Sequence, residues 1–296
     1  MEHKDLNTIL DKTLDQLTKE DSAEIVKELV TRMLIEHKKN DRSGIYAKTQ
    51  TEMAYNSNKI EGSTLTPEQT ASLFATGTLR SDGEIIYKAK DIEEMTGHFS
   101  MFNHMLTTWD QPLTEQLIKE YHYYLKVGVF EDRANGYPVG EYKNRVNYVS
   151  DIQVANPAKV QAYMQELIKR YESIKEVSIF ELAKLHADFE KVHPFQDGNG
   201  RTGRLILLKE CLRKGIIPIL IRDIDKEVYY FSLNKAQKEN DYQALINYLT
   251  KEQEYYLGRI KEFLWDYSQV SPETSEKGGN EIDMDHFLTL KEQSHT

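Results

Sequence analysis

The chain has 296 residues, enough for one large domain or two small ones and for a sizeable buried core without cross-links. Charged residues make up 29% and the net charge is −10, so a tight grip on nucleic-acid phosphates or anionic lipid is not expected. One cysteine, Cys211, excludes a disulfide framework within the chain, and no run approaches the ~18 apolar residues that span a bilayer.

The first residues are polar and periodic, unlike the apolar centre of a secretory signal, which predicts a cytoplasmic setting. Residues 5–38 carry apolar positions at helical spacing, with a break expected near Glu20-Asp21-Ser22, and residues 1–45 are read as an N-terminal helical extension. A helix over about 47–61 is stopped by Gly62, and Thr66-Pro67-Glu68-Gln69 starts another through a capping box. Further helices are predicted at about 87–107, 113–126, 157–172, 178–192, 200–213, 228–238 and 241–266. Residues 141–155 alone suit a short β-hairpin, with Val146, Tyr148, Val149, Ile152 and Val154 around Ser150-Asp151. Residues 46–270 are read as the main domain, and 271–296, which lose periodicity, as a flexible tail.

Chemistry concentrates at His193-Pro194-Phe195-Gln196-Asp197-Gly198-Asn199-Gly200-Arg201-Thr202-Gly203-Arg204. The helix that follows is apolar on most faces, so its glycine-built N-terminus should be buried, with free N–H groups and the positive end of the dipole forming an anion site. Arg201 and Arg204, three apart, add bidentate phosphate donors. Asp197 is a hard oxygen ligand suited to a magnesium ion shared with phosphate, and His193 can accept a proton from a nucleophile. Gly198-x-Gly200-x-x-Gly203 also fits the dinucleotide-binding pattern. That fingerprint follows a strand, however, and residues 178–192 have helical spacing. His186 and His193 lack a third ligand for zinc, Cys211 reads as inert core, and His98, His104 and His122 read as ordinary surface or core residues.

Taken whole, this segment resembles the signature of the Fic family, enzymes that mostly transfer AMP from ATP to a protein hydroxyl. The resemblance implies a mainly α fold, a Fic-type helical bundle with a small hairpin flap. It makes His193 the base for a Ser, Thr or Tyr hydroxyl and Phe195 a buried anchor. Asp197 becomes the ligand of Mg²⁺ (or Mn²⁺), Gly198, Asn199 and Gly200 the anion hole, and Arg201 and Arg204 phosphate ligands. Tyr229 and Tyr230 match a tyrosine pair beside adenosine, with Tyr230 as the nucleoside contact, and Gln237 stands where some relatives carry Asn. The flap residues Tyr142, Val146 and Tyr148 would position a target segment by strand addition.

Ser57-Asn58-Lys59-Ile60-Glu61-Gly62 resembles the family's inhibitory motif, Ser/Thr-x-x-x-Glu-Gly/Asn, in the subclass with an N-terminal inhibitory helix. Ser57 and Glu61 share a helix face, and Glu61 sits at the helix's negative end, where a carboxylate is locally unfavourable. The resemblance implies that Glu61 pairs with Arg204 and denies it to the γ-phosphate. The reading is thus a self-inhibited protein adenylyltransferase that uses ATP, acts on a protein target or on itself, and forms a homodimer, without nucleic acid or membrane as partner. A hydrolase that uses Glu61 to remove AMP, and a non-catalytic binding module on the same fold, stay open.

Overall fold

The computed structural model describes residues 6–79, 87–147 and 154–265, so the expected tail at 271–296 lies outside the described residues. Twelve helices are found among the described residues: α1 (Leu6–Leu10), α2 (Lys19–Lys39), α3 (Ile45–Ile60), α4 (Pro67–Thr76), α5 (Ala89–Thr107), α6 (Glu115–Lys126), α7 (Phe130–Ala134), α8 (Pro157–Glu172), α9 (Ile179–Val192), α10 (Asn199–Arg213), α11 (Lys226–Glu239) and α12 (Gln243–Leu264).

Their starts follow local chemistry. Thr66 and Gln69 form the capping box of α4, Ser178 and Glu181 that of α9, and Asn156 caps α8 through its side chain. The expected break at Glu20-Asp21-Ser22 falls earlier. Thr18 caps α2 and Asp21 returns the bond as its box partner, so 20–22 form the first turn, and the interruption lies between α1 and Lys19. The five-residue α7 was not anticipated, being too short to show a period.

The centre of the bundle is α10. From Arg201 to Leu212 every residue is buried, and α2, α3, α5, α6 and α9 pack around it. Leu207 and Cys211 join one apolar cluster with Leu182, Ile219, Tyr229 and Leu249. Burial of each such side chain contributes about 1.5–3 kcal/mol. The polar residues at its C-terminal end are neutralised in place: Lys209 pairs with Glu210 at 2.7 Å, Glu210 also meets Arg213, and Arg213 reaches Glu172. Gly215 (φ 65°) closes the helix in the left-handed conformation expected of its sequence.

The expected hairpin is not seen in the described part of 141–155, and 148–153, Tyr148 among them, lie outside the described residues. Residues 143–147 are instead bonded to the loop after α9. The Lys143 N–H donates to the Pro194 carbonyl at 2.8 Å, and the Asn147 side-chain amide donates to the Phe195 carbonyl at 3.1 Å. Tyr142 packs inward against the Phe195 ring under the Lys119 ammonium, while Val146 is exposed.

Candidate active site

The turn from α9 to α10 is held from several sides. His193 ends α9 with left-handed backbone (φ 51°, ψ 61°), which breaks the helix and turns the chain. Phe195 is fully buried, and the His122 ring stacks on it at 3.8 Å. The His122 Nδ1 accepts from the Gly140 N–H at 2.9 Å, so its proton sits on Nε2 and is donated to the Asp197 carbonyl at 3.0 Å. Asn199 spends its side chain on Phe195: its Oδ1 accepts from the Phe195 N–H and its Nδ2 donates to the Phe195 carbonyl. What Asn199 can offer an anion is therefore its main chain. Gly198 (φ 80°) caps α10 with no side-chain bond, which leaves the first turn of the helix for another acceptor.

Around this turn lies a charge network drawn from four helices. The buried Lys126 ammonium meets Glu94 (2.7 Å), Asp132 (2.8 Å) and Asp197 (2.7 Å), and the other oxygen of Glu94 holds Arg201 at 2.7 Å. Burial alone would raise the Asp197 carboxyl. The Arg201 and Lys126 cations outweigh it and hold Asp197 well below the usual carboxylate range.

Arg204 is buried and triply bonded. Its Nε donates to the Ser57 hydroxyl (2.9 Å), and one terminal nitrogen donates to the Ser57 carbonyl (3.0 Å) and to Glu61 Oε1 (2.6 Å). Ser57 thus holds the arginine itself. Burial opposes the Arg204 charge, but Glu61 more than offsets it and the pKa is raised. The carboxylate of Glu61 lies over Gly200, where a Cβ would collide with Oε1. At the end of α3 it is misplaced for its own helix. The start of α10 supplies the opposite dipole end, which resolves the sequence anomaly.

A cavity of about 410 Å³ opens beside this pair, lined by Glu61, Glu190, His193, Gly200, Arg204, Tyr229, Tyr230, Leu233, Asn234 and Gln237. Tyr229 is buried with its hydroxyl 2.8 Å from His186 Nε2, and Tyr230 stands half-exposed. Gln237 turns its amide to the Ala187 carbonyl, and Asn234, one turn earlier, also faces the cavity. Burial, aided by the Lys143 ammonium, lowers His193 to about 4, so its ring is neutral at ordinary pH and free to take a proton. A larger cleft of about 520 Å³ between α8 and α9 contains none of the motif residues from His193 to Arg204.

Of the residues singled out in the sequence, His193, Gly200, Arg204, Tyr229, Tyr230, Gln237 and Glu61 share this cavity. Ser57 lies beneath Arg204, and Asp197, Gly198, Asn199 and Arg201 form the adjoining turn, with Arg201 directed at Glu94. Tyr142 and Val146 stand apart from the cavity lining. Sequence reasoning missed Glu94, His122, Lys126, Asp132 and Glu190. His122 and Lys126 share one face of α6, four residues apart, and Glu190 sits three before His193, but nothing local marks any of them as site residues.

The Fic/DOC family model matches residues 112–211. Protein adenylyltransferase Fic of Nematostella vectensis is 27% identical over 67% of this chain and 45% of its own length. Protein adenylyltransferase fic-1 of Caenorhabditis elegans is 26% identical over 70% of this chain and 41% of its own. The chain thus spans less than half the length of these curated relatives. The crystal structure of a Fic domain containing signaling protein from Bacteroides thetaiotaomicron superposes with a TM-score of 0.64 at 28% identity, covering 81% of this chain and 97% of that one. A Fic family protein from Desulfovibrio desulfuricans shares the fold, with a TM-score of 0.61 at 19% identity over 95% and 86% of the two chains.

Proposed function

Because this chain carries a Fic/DOC-family domain, we propose that it transfers AMP from ATP to a Ser, Thr or Tyr hydroxyl of a protein and releases pyrophosphate. The observation that carries the reading is one cavity in which a neutral His193, the glycine turn at Gly200 and the Arg204 guanidinium meet. The target hydroxyl loses its proton to His193 as its oxygen attacks the α-phosphorus, and the bond to the bridging oxygen of pyrophosphate breaks. The N–H groups at the start of α10 receive the phosphate charge, and Arg204 receives the γ-phosphate. Positioning and fixed charge supply most of the rate in such a transfer.

Asp197 fits the magnesium ion that this chemistry uses. Its carboxyl is held ionised and 39% exposed. Oδ2 faces Lys126 at 2.7 Å and Arg201 at 3.5 Å, while Oδ1 accepts only the Gly198 N–H among the described residues and is the oxygen left for a metal ion. No cluster of three metal-binding side chains exists among the described residues, so phosphate and water oxygens would complete the shell, as magnesium commonly accepts. When bound, the ion neutralises phosphate charge.

Glu61 acts as the brake in this reading, because its carboxylate takes both the guanidinium and the anion site that a triphosphate needs. A second reading, hydrolytic removal of AMP, is favoured by the same carboxylate, which is 33% exposed and can orient a water. Incubation with α-labelled ATP, Mg²⁺ and lysate tests the primary reading. Label on protein from wild type or Glu61→Gly, and none from His193→Ala, is expected; no label from either active form overturns it. Release of AMP from premodified protein reports the second activity.

A further inference from the structure

Glu190 lines the cavity from α9, yet its Oε1 is buried without a hydrogen-bond partner, and the residue is 9% exposed. A buried polar group left unpaired is costly and uncommon in a native structure. Its seat is built for it. Gly203 of α10 faces the carboxyl, and a Cβ there would collide with Oε1 and stand 3.0 Å from the Phe189 ring. The third glycine of the motif thus makes room for an acid. Arg204, the cation whose field reaches Glu190, is already bonded to Ser57 and Glu61.

We propose that Glu190 reads the nucleoside of the bound nucleotide, its carboxyl hydrogen-bonding the sugar or the base. His186, Glu190 and His193 follow one another on a single face of α9. His193 marks the reacting phosphate, and His186 holds Tyr229 in the wall formed with Tyr230 and Leu233. Glu190 lies between, three residues or ~4.5 Å along the axis from His193. An aromatic and apolar wall suits a nucleoside, whereas the triphosphate has its partners at Gly200 and Arg204. The charge state agrees. Burial pushes Glu190 up to about 8, so at neutral pH it offers an O–H donor and adds no second negative charge to that of Glu61.

The proposal rests on the nucleotide reading, and probes that lack one half of ATP separate the two. Binding of ATP, AMP and inorganic tripolyphosphate should be measured by calorimetry on the full chain, in wild-type and Glu61→Gly backgrounds. Glu190→Leu is expected to weaken ATP and AMP by about 5–10-fold, the loss of one hydrogen bond, and to leave tripolyphosphate unchanged. Glu190→Gln, which keeps donor and acceptor, should stay within about 3-fold. Gly203→Ala, which displaces the carboxyl, should reproduce the selective loss and provides a second variant if Glu190→Leu folds poorly. Deoxyribose analogues locate the bond: a ribose contact makes Glu190→Leu indifferent to the missing hydroxyl, and a base contact does not. Unchanged AMP affinity in Glu190→Leu, or equal loss of AMP and tripolyphosphate, overturns the proposal. Failure of ATP to bind either background overturns the nucleotide reading itself.

Discussion

In the proposed mechanism His193 serves as a base only without its own proton, and burial with the Lys143 charge nearby keeps it so down to about pH 4. Transfer should therefore be insensitive to this group from neutral pH downward and fall as pH drops through about 4, provided the fold survives. His193→Ala is expected to abolish transfer while ATP affinity, measured by calorimetry, changes less than about 3-fold, since the ring acts on the incoming hydroxyl. Wild-type turnover by the variant would remove His193 from its role. This residue was legible because it belongs to one contiguous motif. Its supporting shell was not: Lys126 reaches Asp197 across 71 residues, and Glu94 comes from yet another helix. Long-range ion pairs leave no periodic trace in the chain, so His122 reads as an ordinary surface or core residue and nothing in the sequence singles out Lys126.

Between elements, the contact that matters most is the end of α3 against the start of α10. Glu61→Gly removes a partly exposed carboxylate but leaves Arg204 its two Ser57 bonds, so the unliganded variant should lose only about 1–3 kcal/mol in denaturant titrations. Labelling should rise, and Arg204→Ala in the same chain should cancel the rise; persistence in the double variant would mean that Glu61 acts by another route. Ser57→Ala should loosen Arg204 directly, since the hydroxyl is a ligand of the guanidinium. The network of α5, α6 and α7 meets at Lys126, and Lys126→Met would remove the cation shared by Glu94, Asp132 and Asp197. That leaves Asp132 without a cationic partner among the described residues and Arg201 alone against the other two carboxylates. A loss of about 3–5 kcal/mol in unfolding free energy is expected. Helix starts were the most legible feature, because Thr66, Asn156 and Ser178 announce themselves within one turn. The expected hairpin rests mostly on 148–153, outside the described residues; in 141–147 nothing in the sequence signals that Lys143 and Asn147 bond to the loop after α9.

The whole molecule carries an acid weakness. His98, His122 and His186 are pushed down to about 3 by burial, and His193 to about 4, against the ordinary 6.5. Between these values the unfolded chain binds protons that the folded one refuses, so stability falls as pH drops below about 6.5. Glu190 works in the opposite sense. Raised to about 8, it contributes stability that is complete below its unfolded value and is lost as pH rises through 8. With about four histidine protons set against one, the slope near pH 5 should approach about 4 kcal/mol per pH unit as an upper bound. Melting temperatures between pH 7 and 5 measure it, and a flat profile would show that these histidines gain access to protons without unfolding.

Arg204 takes two of its three bonds from Ser57 and one from Glu61, so in the proposed mechanism the closed and open forms would differ by a single exchangeable bond. A bias of about 2 kcal/mol corresponds to roughly thirty closed molecules for each open one. Under the proposed mechanism the resting population is therefore leaky, with a few per cent of chains competent at any instant. Removing Glu61 can then raise the steady rate by about thirtyfold at most, a ceiling set by occupancy and independent of the chemical step.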